Sequence, residues 1–232
     1  MARENKEQGF GLMKLLCLIH NLSQIIFWGY ELYLIFSIWA AEGRIVWKVF
    51  QYQGVFENLK MIQLLQFFDV FFCIIGVTRG SPVLSLMQIL ARNLVVLLIF
   101  EFNMNAEFPV IAIIPWCLAE VIRYPFYTLK LVGMEGFLLS IFEFLRFNAF
   151  MVLYPCGVFG ELSSLYESWD ILEKLRPYKL EMPNNYNFAF DPMFFYYSFF
   201  PLCPLGMLMI YFQLLGARKK YMQRGSDKVK TN

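Results

Sequence analysis

Six long apolar runs follow one another along the chain, and charged or turn-forming residues separate them. A helix that crosses a membrane needs about 20 mostly apolar residues, because each residue rises about 1.5 Å and the hydrocarbon layer is about 30 Å thick. The pattern therefore predicts an all-α, polytopic membrane protein, a single domain built as a bundle of six transmembrane helices. The predicted spans are approximately residues 15–40, 61–78, 82–102, 107–129, 136–159 and 192–216.

The connections between these spans are short, with one exception, and short connections make neighbouring helices antiparallel. The exception is the long polar loop of residues 161–191, between the fifth and sixth spans. It carries apolar residues such as Leu165 and Leu172 at roughly helical spacing, followed by Pro177 and Pro183. We expect an amphipathic helix at the membrane interface and then an irregular return.

The charge pattern predicts how the chain is oriented. An even number of spans places both termini on one side, and basic residues mark the cytosolic side. Two lysines of the tail stand third and fifth from its end, a spacing similar to the dilysine retrieval signal of endoplasmic-reticulum membrane proteins. We therefore expect both termini in the cytosol, the endoplasmic reticulum as location and no cleaved leader. The basic residues after the last span are Arg218, Lys219, Lys220, Arg224, Lys228 and Lys230.

Composition agrees with the membrane class and excludes several others. Hydrophobic residues make up 59% of the 232 residues and charged residues 16%, against about 45–50% and 25% in soluble proteins. The net charge of +2 gives no field that would attract a nucleic acid. Five cysteines without a C-x-x-C pair, and a single histidine, His20, indicate neither a disulfide framework nor a metal site. Cys156 does not begin a phosphatase C-x5-R loop, because position 162 is leucine.

Ionisable residues lie within the predicted spans, where each costs about 2.5–3.5 kcal/mol on insertion. Glu120 with Arg123, and Glu143 with Arg146, are spaced i, i+3, which places each pair on one helix face. Two interpretations stay open: ion pairs within each helix, or arginines that line a polar cavity and hold a charged head group. Both predict a polar interior. The other embedded charges are Asp69 and Arg92.

A phenol and a carboxyl group share one helix face at the end of the fifth predicted span. Tyr154 and Glu161 are seven residues apart, nearly two turns, or about 10 Å along the axis. Pro155 removes a helix hydrogen bond between them, and Gly157 leaves room for close approach. A substrate would fit between the two groups. Equally, Tyr154 is typical of an aromatic belt at a membrane edge, and Glu161 of the start of a polar loop.

Three stretches resemble the very-long-chain (3R)-3-hydroxyacyl-CoA dehydratase family, also called protein-tyrosine-phosphatase-like proteins. Residues 116–127 are similar to W-S-x-x-E-x-I-R-Y-x-F-Y, and residues 145–161 to L-R-Y-x-x-F-x-x-L-Y-P-x-G-x-x-x-E. Residues 76–92 are similar to G-L-V-R-S-P with Q-x-x-S-R, and residues 20–28, more weakly, to Y-N-x-x-S…W. These stretches follow in the family's order and are distributed along the chain between residue 15 and residue 161.

The resemblance implies a six-span enzyme of the endoplasmic reticulum that dehydrates a very-long-chain (3R)-3-hydroxyacyl-CoA to the trans-2-enoyl-CoA, the third step of fatty-acid elongation. It places the family's catalytic pair on Tyr154 and Glu161. The implied partners are the acyl-CoA substrate, the lipid bilayer, the elongase, the 3-ketoacyl-CoA reductase and the trans-2-enoyl-CoA reductase. The family's other polar or glycine positions, with supporting or substrate-binding roles, fall on Arg92, Arg123, Arg146 and Gly157.

The chain departs from the family pattern at several positions. Asp69 and Phe72 stand where members usually carry a glutamate and a histidine in the second span. Phe147 replaces a tyrosine, Ala91 replaces a serine, and Gly80 is an additional residue. These changes leave the catalytic pair intact, so we expect activity.

Dehydration of a 3-hydroxyacyl thioester needs a base for the α-carbon proton and an acid for the departing hydroxyl group, without a metal or redox cofactor. We expect Glu161 to be the base and Tyr154 the acid, and the reverse assignment fits the sequence equally well. Three other classes compete with this function. They are a catalytically inactive relative that acts as a membrane scaffold for elongation partners, a transporter or channel, which would predict inverted repeats, and a soluble apolar helical bundle.

Overall fold

A computed structural model describes residues 2–44, 47–78, 80–102 and 107–230, and within these ranges the chain is helical along most of its length and contains no β-strand. The all-α class is confirmed. An isolated β-bridge joins Leu180 to Phe190. The helices are α1 (Ala2–Glu42), α2 (Trp47–Tyr52), α3 (Val55–Leu65), α4 (Phe67–Ile74), α5 (Pro82–Val95) with a π-helical turn (Val96–Phe100), α6 (Phe108–Leu131), α7 (Phe137–Asn148), α8 (Phe150–Leu175) and α9 (Pro192–Lys230).

Several of these helices could cross a membrane. Among the described residues, Gly11–Glu42, Pro82–Phe100 and Phe108–Leu131 are long and apolar enough by themselves. Helices α7 and α8 pass the same test together, as one span bent by 47°. These helices fit a multi-pass membrane protein, and the count of six spans stays a prediction. Of the tail, the side chains of residues 224–230 and all of residues 231–232 lie outside the described part, and so do the basic groups placed there.

The second predicted span differs from the expected single run. Helix α3 begins at Val55, just after Gly54, whose positive φ of 85° suits glycine. The helix is interrupted at Gln66, and α4 ends at Ile74, before residue 78. Gln66, at this break, is buried. The expected span is therefore a pair of shorter helices that begins earlier in the chain.

The fifth predicted span also differs. It bends at Ala149, and α8 continues as one helix through residue 161 to Leu175. The helix expected after residue 161 is present and ends before Pro177, but it continues α8 rather than forming a separate element. The end of the membrane span at residue 159 stays a prediction. Small and apolar residues, including Ser164 and Ser168, keep this face buried. Both serine hydroxyls donate to carbonyls one turn earlier, at 2.7 Å, so the polar composition does not end the helix.

Helix α6 lies at the centre of the bundle and packs against α1, α7 and α8. The crossing with α8 is the tightest contact. A Cβ atom on Gly160 would lie 2.8 Å from both Cα and Cβ of Ala112, closer than side chains normally approach. The absence of a side chain at Gly160 therefore lets the two helices meet almost backbone to backbone, as small residues do between membrane helices.

Candidate active site

A cavity of about 160 Å³ lies where α5 to α9 converge. It has one acidic and one phenolic side chain from α8, charged residues from α5, α6 and α7, and an apolar side formed by α9. The residues singled out from the sequence are thus brought together in one place, although they extend over 70 positions of the chain. Those that line it are Arg92, Arg123, Arg146, Tyr154, Gly157 and Glu161.

The carboxyl group of the cavity is fixed by a tryptophan of α6. Nε1 of Trp116 donates to Oε1 of Glu161 at 2.9 Å, and the indole itself is 4% exposed. Gly157 makes room for it, because a Cβ atom there would lie 3.5 Å from the indole ring. Buried Trp N–H groups usually need a partner. The bond therefore orients the carboxyl group toward the cavity while leaving its second oxygen for other partners.

The phenol of the cavity is held by α9. The hydroxyl group of Tyr154 donates to the carbonyl oxygen of Met207 at 2.8 Å. Its ring stacks on Tyr211, with 5.8 Å between the centroids. A backbone carbonyl is an acceptor that a substrate hydroxyl group can replace, so the phenol is already placed as a hydrogen-bond donor at the edge of the cavity.

Two arginines of the cavity wall share one buried carboxylate. Glu120 forms ion pairs with Arg92 of α5 and with Arg123, one turn away on α6. The predicted pairing of Glu120 with Arg123 is confirmed. Arg123 also donates to Oδ2 of Asp69 at 2.8 Å, and the Arg92 guanidinium lies 4.9 Å from the ring centre of Trp116. The wall is a network of charges that balance each other.

Arg146 differs from the other two arginines. The expected pair with Glu143 does not form, because Lys130 of α6 takes that carboxylate at 3.3 Å near the surface. Arg146 lines the cavity and has no ion-pair or hydrogen-bond partner among the residues that the structure describes. The interpretation as an ion pair within one helix is wrong here, and a cation is left available to a bound group.

Residues 63–224 match the family described as protein tyrosine phosphatase-like protein, PTPLA. The chain belongs to the PTPLA family. Among its curated relatives, very-long-chain (3R)-3-hydroxyacyl-CoA dehydratase 2 of Homo sapiens is 30% identical, with 76% of this chain and 69% of the relative aligned. The dehydratase hpo-8 of Caenorhabditis elegans is 31% identical, over 90% of this chain and 95% of the relative. Dehydratase 1 of Mus musculus is 31% identical, and the chain covers 61% of its length. No solved structure matches the chain.

Sequence reasoning missed two contributors to the site of this PTPLA protein. Trp116 appeared only as part of a motif. Its position four residues before Glu120 places both side chains on one helix face, and this spacing was a signal that could have included the indole N–H in the site. His20 appeared as a metal ligand that was set aside and as the first residue of the weaker match at residues 20–28, without a role in the site. Its Nε2 lies 2.8 Å from Oδ1 of Asp69, and its ring packs on Phe72 at 5.7 Å. The imidazole beside this carboxylate therefore comes from α1 rather than from the second span.

Proposed function

We propose that this chain is a hydro-lyase that removes water from a very-long-chain (3R)-3-hydroxyacyl-CoA to give the trans-2-enoyl-CoA, the third step of fatty-acid elongation. One observation carries the proposal: a phenol and a carboxyl group two turns apart on α8 line the same cavity. The names of the relatives supply the substrate class. Tyr154 and Glu161 are the acid–base pair.

The reaction requires two proton transfers, one from the α-carbon and one to the hydroxyl group on the neighbouring β-carbon. The carboxylate of Glu161 takes the proton from the α-carbon, and the electron pair of that C–H bond forms the double bond. The C–O bond at the β-carbon breaks, and the hydroxyl group leaves as water with the proton of Tyr154. Each positioned acid or base typically contributes about 10²–10⁴ in rate. Trp116 keeps the carboxyl group turned toward the substrate.

The direction from which the substrate enters follows from Arg146. Its guanidinium, unpaired within the described part of the chain, faces the cavity from α7, close to where α7 meets the basic part of α9. There Nε of Arg218 donates to Oδ1 of Asn148 at 2.9 Å, and Phe147 stacks on Tyr221 at 4.8 Å. We infer that the phosphates of the CoA moiety lie at this basic end, while the acyl chain extends between the helices.

The same orientation supports a topology. With six spans and both termini in the cytosol, the basic end of α9 faces the compartment that supplies acyl-CoA, and basic residues favour that side. Location in the endoplasmic reticulum, and partnership with the elongase and the two reductases of the cycle, follow from the same proposal. The cavity then opens toward the cytosol, although Glu161 lies deeper in the bundle.

The test is turnover of a long-chain 3-hydroxyacyl-CoA by protein purified in detergent. Tyr154→Phe and Glu161→Gln should each lower kcat at least about 100-fold without lowering the melting temperature. Tyr166→Phe and Glu167→Gln are matched controls, because these residues lie on the same helix but are exposed. They should keep the wild-type rate. A Glu161→Gln protein that dehydrates the substrate at the wild-type rate would show that this is not the active site.

A further inference from the structure

Two buried polar bridges join α1 to the α3–α4 pair. At one end, Nδ2 of Asn58 donates to Oε2 of Glu31 at 2.6 Å. At the other, Nε2 of His20 lies 2.8 Å from Oδ1 of Asp69. Eleven residues separate the two bridging positions on each side. The two segments are therefore antiparallel, and the bridges lie about three turns apart along α1.

Only one of the bridges continues to the cavity. The second carboxylate oxygen of Asp69, Oδ2, accepts hydrogen bonds from Arg123 and from the hydroxyl group of Tyr124, each at 2.8 Å. Arg123 lines the cavity, whereas His20 and Asp69 lie behind its wall. At the other bridge, the second oxygen of Glu31 is buried without a hydrogen-bond partner in the described ranges. The His20 bridge is thus one residue removed from a cavity side chain.

Asp69 holds the arginine between two carboxylates. Glu120 is shared by Arg92 and Arg123, so its charge alone does not satisfy both guanidinium groups. Asp69 provides the second negative charge for Arg123. A guanidinium group has five N–H donors, and without Asp69 those of Arg123 would have only the shared carboxylate of Glu120 and the hydroxyl group of Tyr124 as partners.

The orientation of the Asp69 carboxylate in turn depends on His20. Rotation about the terminal torsion of an aspartate is broad, so hydrogen bonds to both oxygens are needed to fix it. Tyr124 and Arg123 hold one oxygen, and His20 holds the other. The imidazole is 8% exposed and is itself fixed between the rings of Phe68, Phe72 and Tyr124, at 5.7–6.0 Å.

We propose that His20 is a positioning residue for the reaction: through Asp69 it keeps the guanidinium group of Arg123 fixed in the cavity wall. The proposal rests on the proposed function, because it assumes that the cavity is where the acyl-CoA reacts. Asp69 on α4 transmits the effect, whereas the Glu31–Asn58 bridge joins α1 to α3 and has no contact with a cavity side chain in the described residues.

The kinetic test compares three variants in detergent. His20→Phe keeps a ring within the aromatic cage but removes the donor, and it should lower kcat about tenfold or more, the size expected for losing one hydrogen bond to a charged group. His20→Gln restores a side-chain N–H donor and should recover kcat to within about threefold. Asn58→Leu removes the other bridge and should lower the melting temperature while leaving kcat within about twofold.

A chemical test reports on Arg123 without any turnover. Phenylglyoxal modifies accessible guanidinium groups, and peptide mass spectrometry measures the rate at each arginine. Arg123 should react several-fold faster in His20→Phe than in the wild type, His20→Gln or Asn58→Leu. The proposal is overturned if His20→Phe leaves the labelling rate of Arg123 unchanged, or if Asn58→Leu lowers kcat as much as His20→Phe does. A wild-type protein that dehydrates no substrate would overturn the proposed function instead, and labelling would still decide the role of His20.

Discussion

Replacing Gly160 by alanine tests the closest contact in the fold. The new Cβ would lie 2.8 Å from Cα and Cβ of Ala112 and closer still to its backbone nitrogen. Ordinary contacts begin near 3.4 Å, and backbone atoms cannot rotate away, so α6 and α8 must separate by at least about 0.6 Å. Overpacking of this kind costs about 1–3 kcal/mol. At about 2–4 °C per kcal/mol for a chain of this size, we expect a melting temperature lower by about 2–12 °C.

The assay is thermal unfolding of the purified protein in detergent, with two glycines as controls. A Cβ atom on Gly206 would have no other atom within 4 Å, and at Gly157 the nearest atom would be 3.5 Å away. Since alanine favours a helix over glycine by about 1 kcal/mol, alanine at either control position should leave the melting temperature unchanged or raise it. If Gly160→Ala also unfolds at or above the wild-type temperature, then α6 and α8 do not approach each other this closely.

Two further predictions concern charges and the carboxyl group of the cavity. Glu120→Gln leaves two arginines without their shared carboxylate and should lower the free energy of unfolding by about 3–5 kcal/mol. The control Glu143→Gln, at a partly exposed pair, should change it by less than about 1 kcal/mol. Equal melting temperatures for the two variants would contradict this prediction. Trp116→Phe removes the donor to Glu161 and should lower kcat/KM about 10- to 100-fold in a folded protein. A wild-type rate in the dehydration assay would show that the indole does not position the carboxyl group.

The sequence predicted the long helices well where a run of apolar residues restricts the backbone to a helix. Within a membrane, runs of about 20 apolar residues are helical because no water is present to satisfy the backbone. The expected span at 15–40 lies within α1, and those at 82–102 and 107–129 match α5 with its π-helical turn, and α6, to within two residues at each end. The apolar spacing predicted a helix up to Leu175, but not that it continues α8 without a break, because residues such as Ser164 and Ser168 make this segment polar in composition. Their hydroxyl groups bond to carbonyls of their own helix, which the sequence pattern does not show.

The candidate site shows the same division between local and distant contacts. The i, i+3 spacing allowed a pair at Glu120 and Arg123 and another at Glu143 and Arg146, and only the first of them forms. The partner of Glu143 is Lys130, on another helix, and that choice depends on how α6 packs beside α7. For the same reason Arg146 has no partner among the residues described. The spacing assigned each side chain to a face of its helix. Which helix faces come into contact is decided by the tertiary structure.

The equal spacing of the two bridges between α1 and α3–α4 limits how the length of this chain can vary. One residue inserted between His20 and Glu31 would turn one of them by about 100° around the helix axis, away from its partner. A matching insertion between Asn58 and Asp69 would not restore the contact, because it would turn the residue on the second segment by the same angle in the same sense. Extra residues in the connection after Glu42 change neither segment. Insertions and deletions among homologous chains should therefore collect in that connection, while the two bridged segments keep their length.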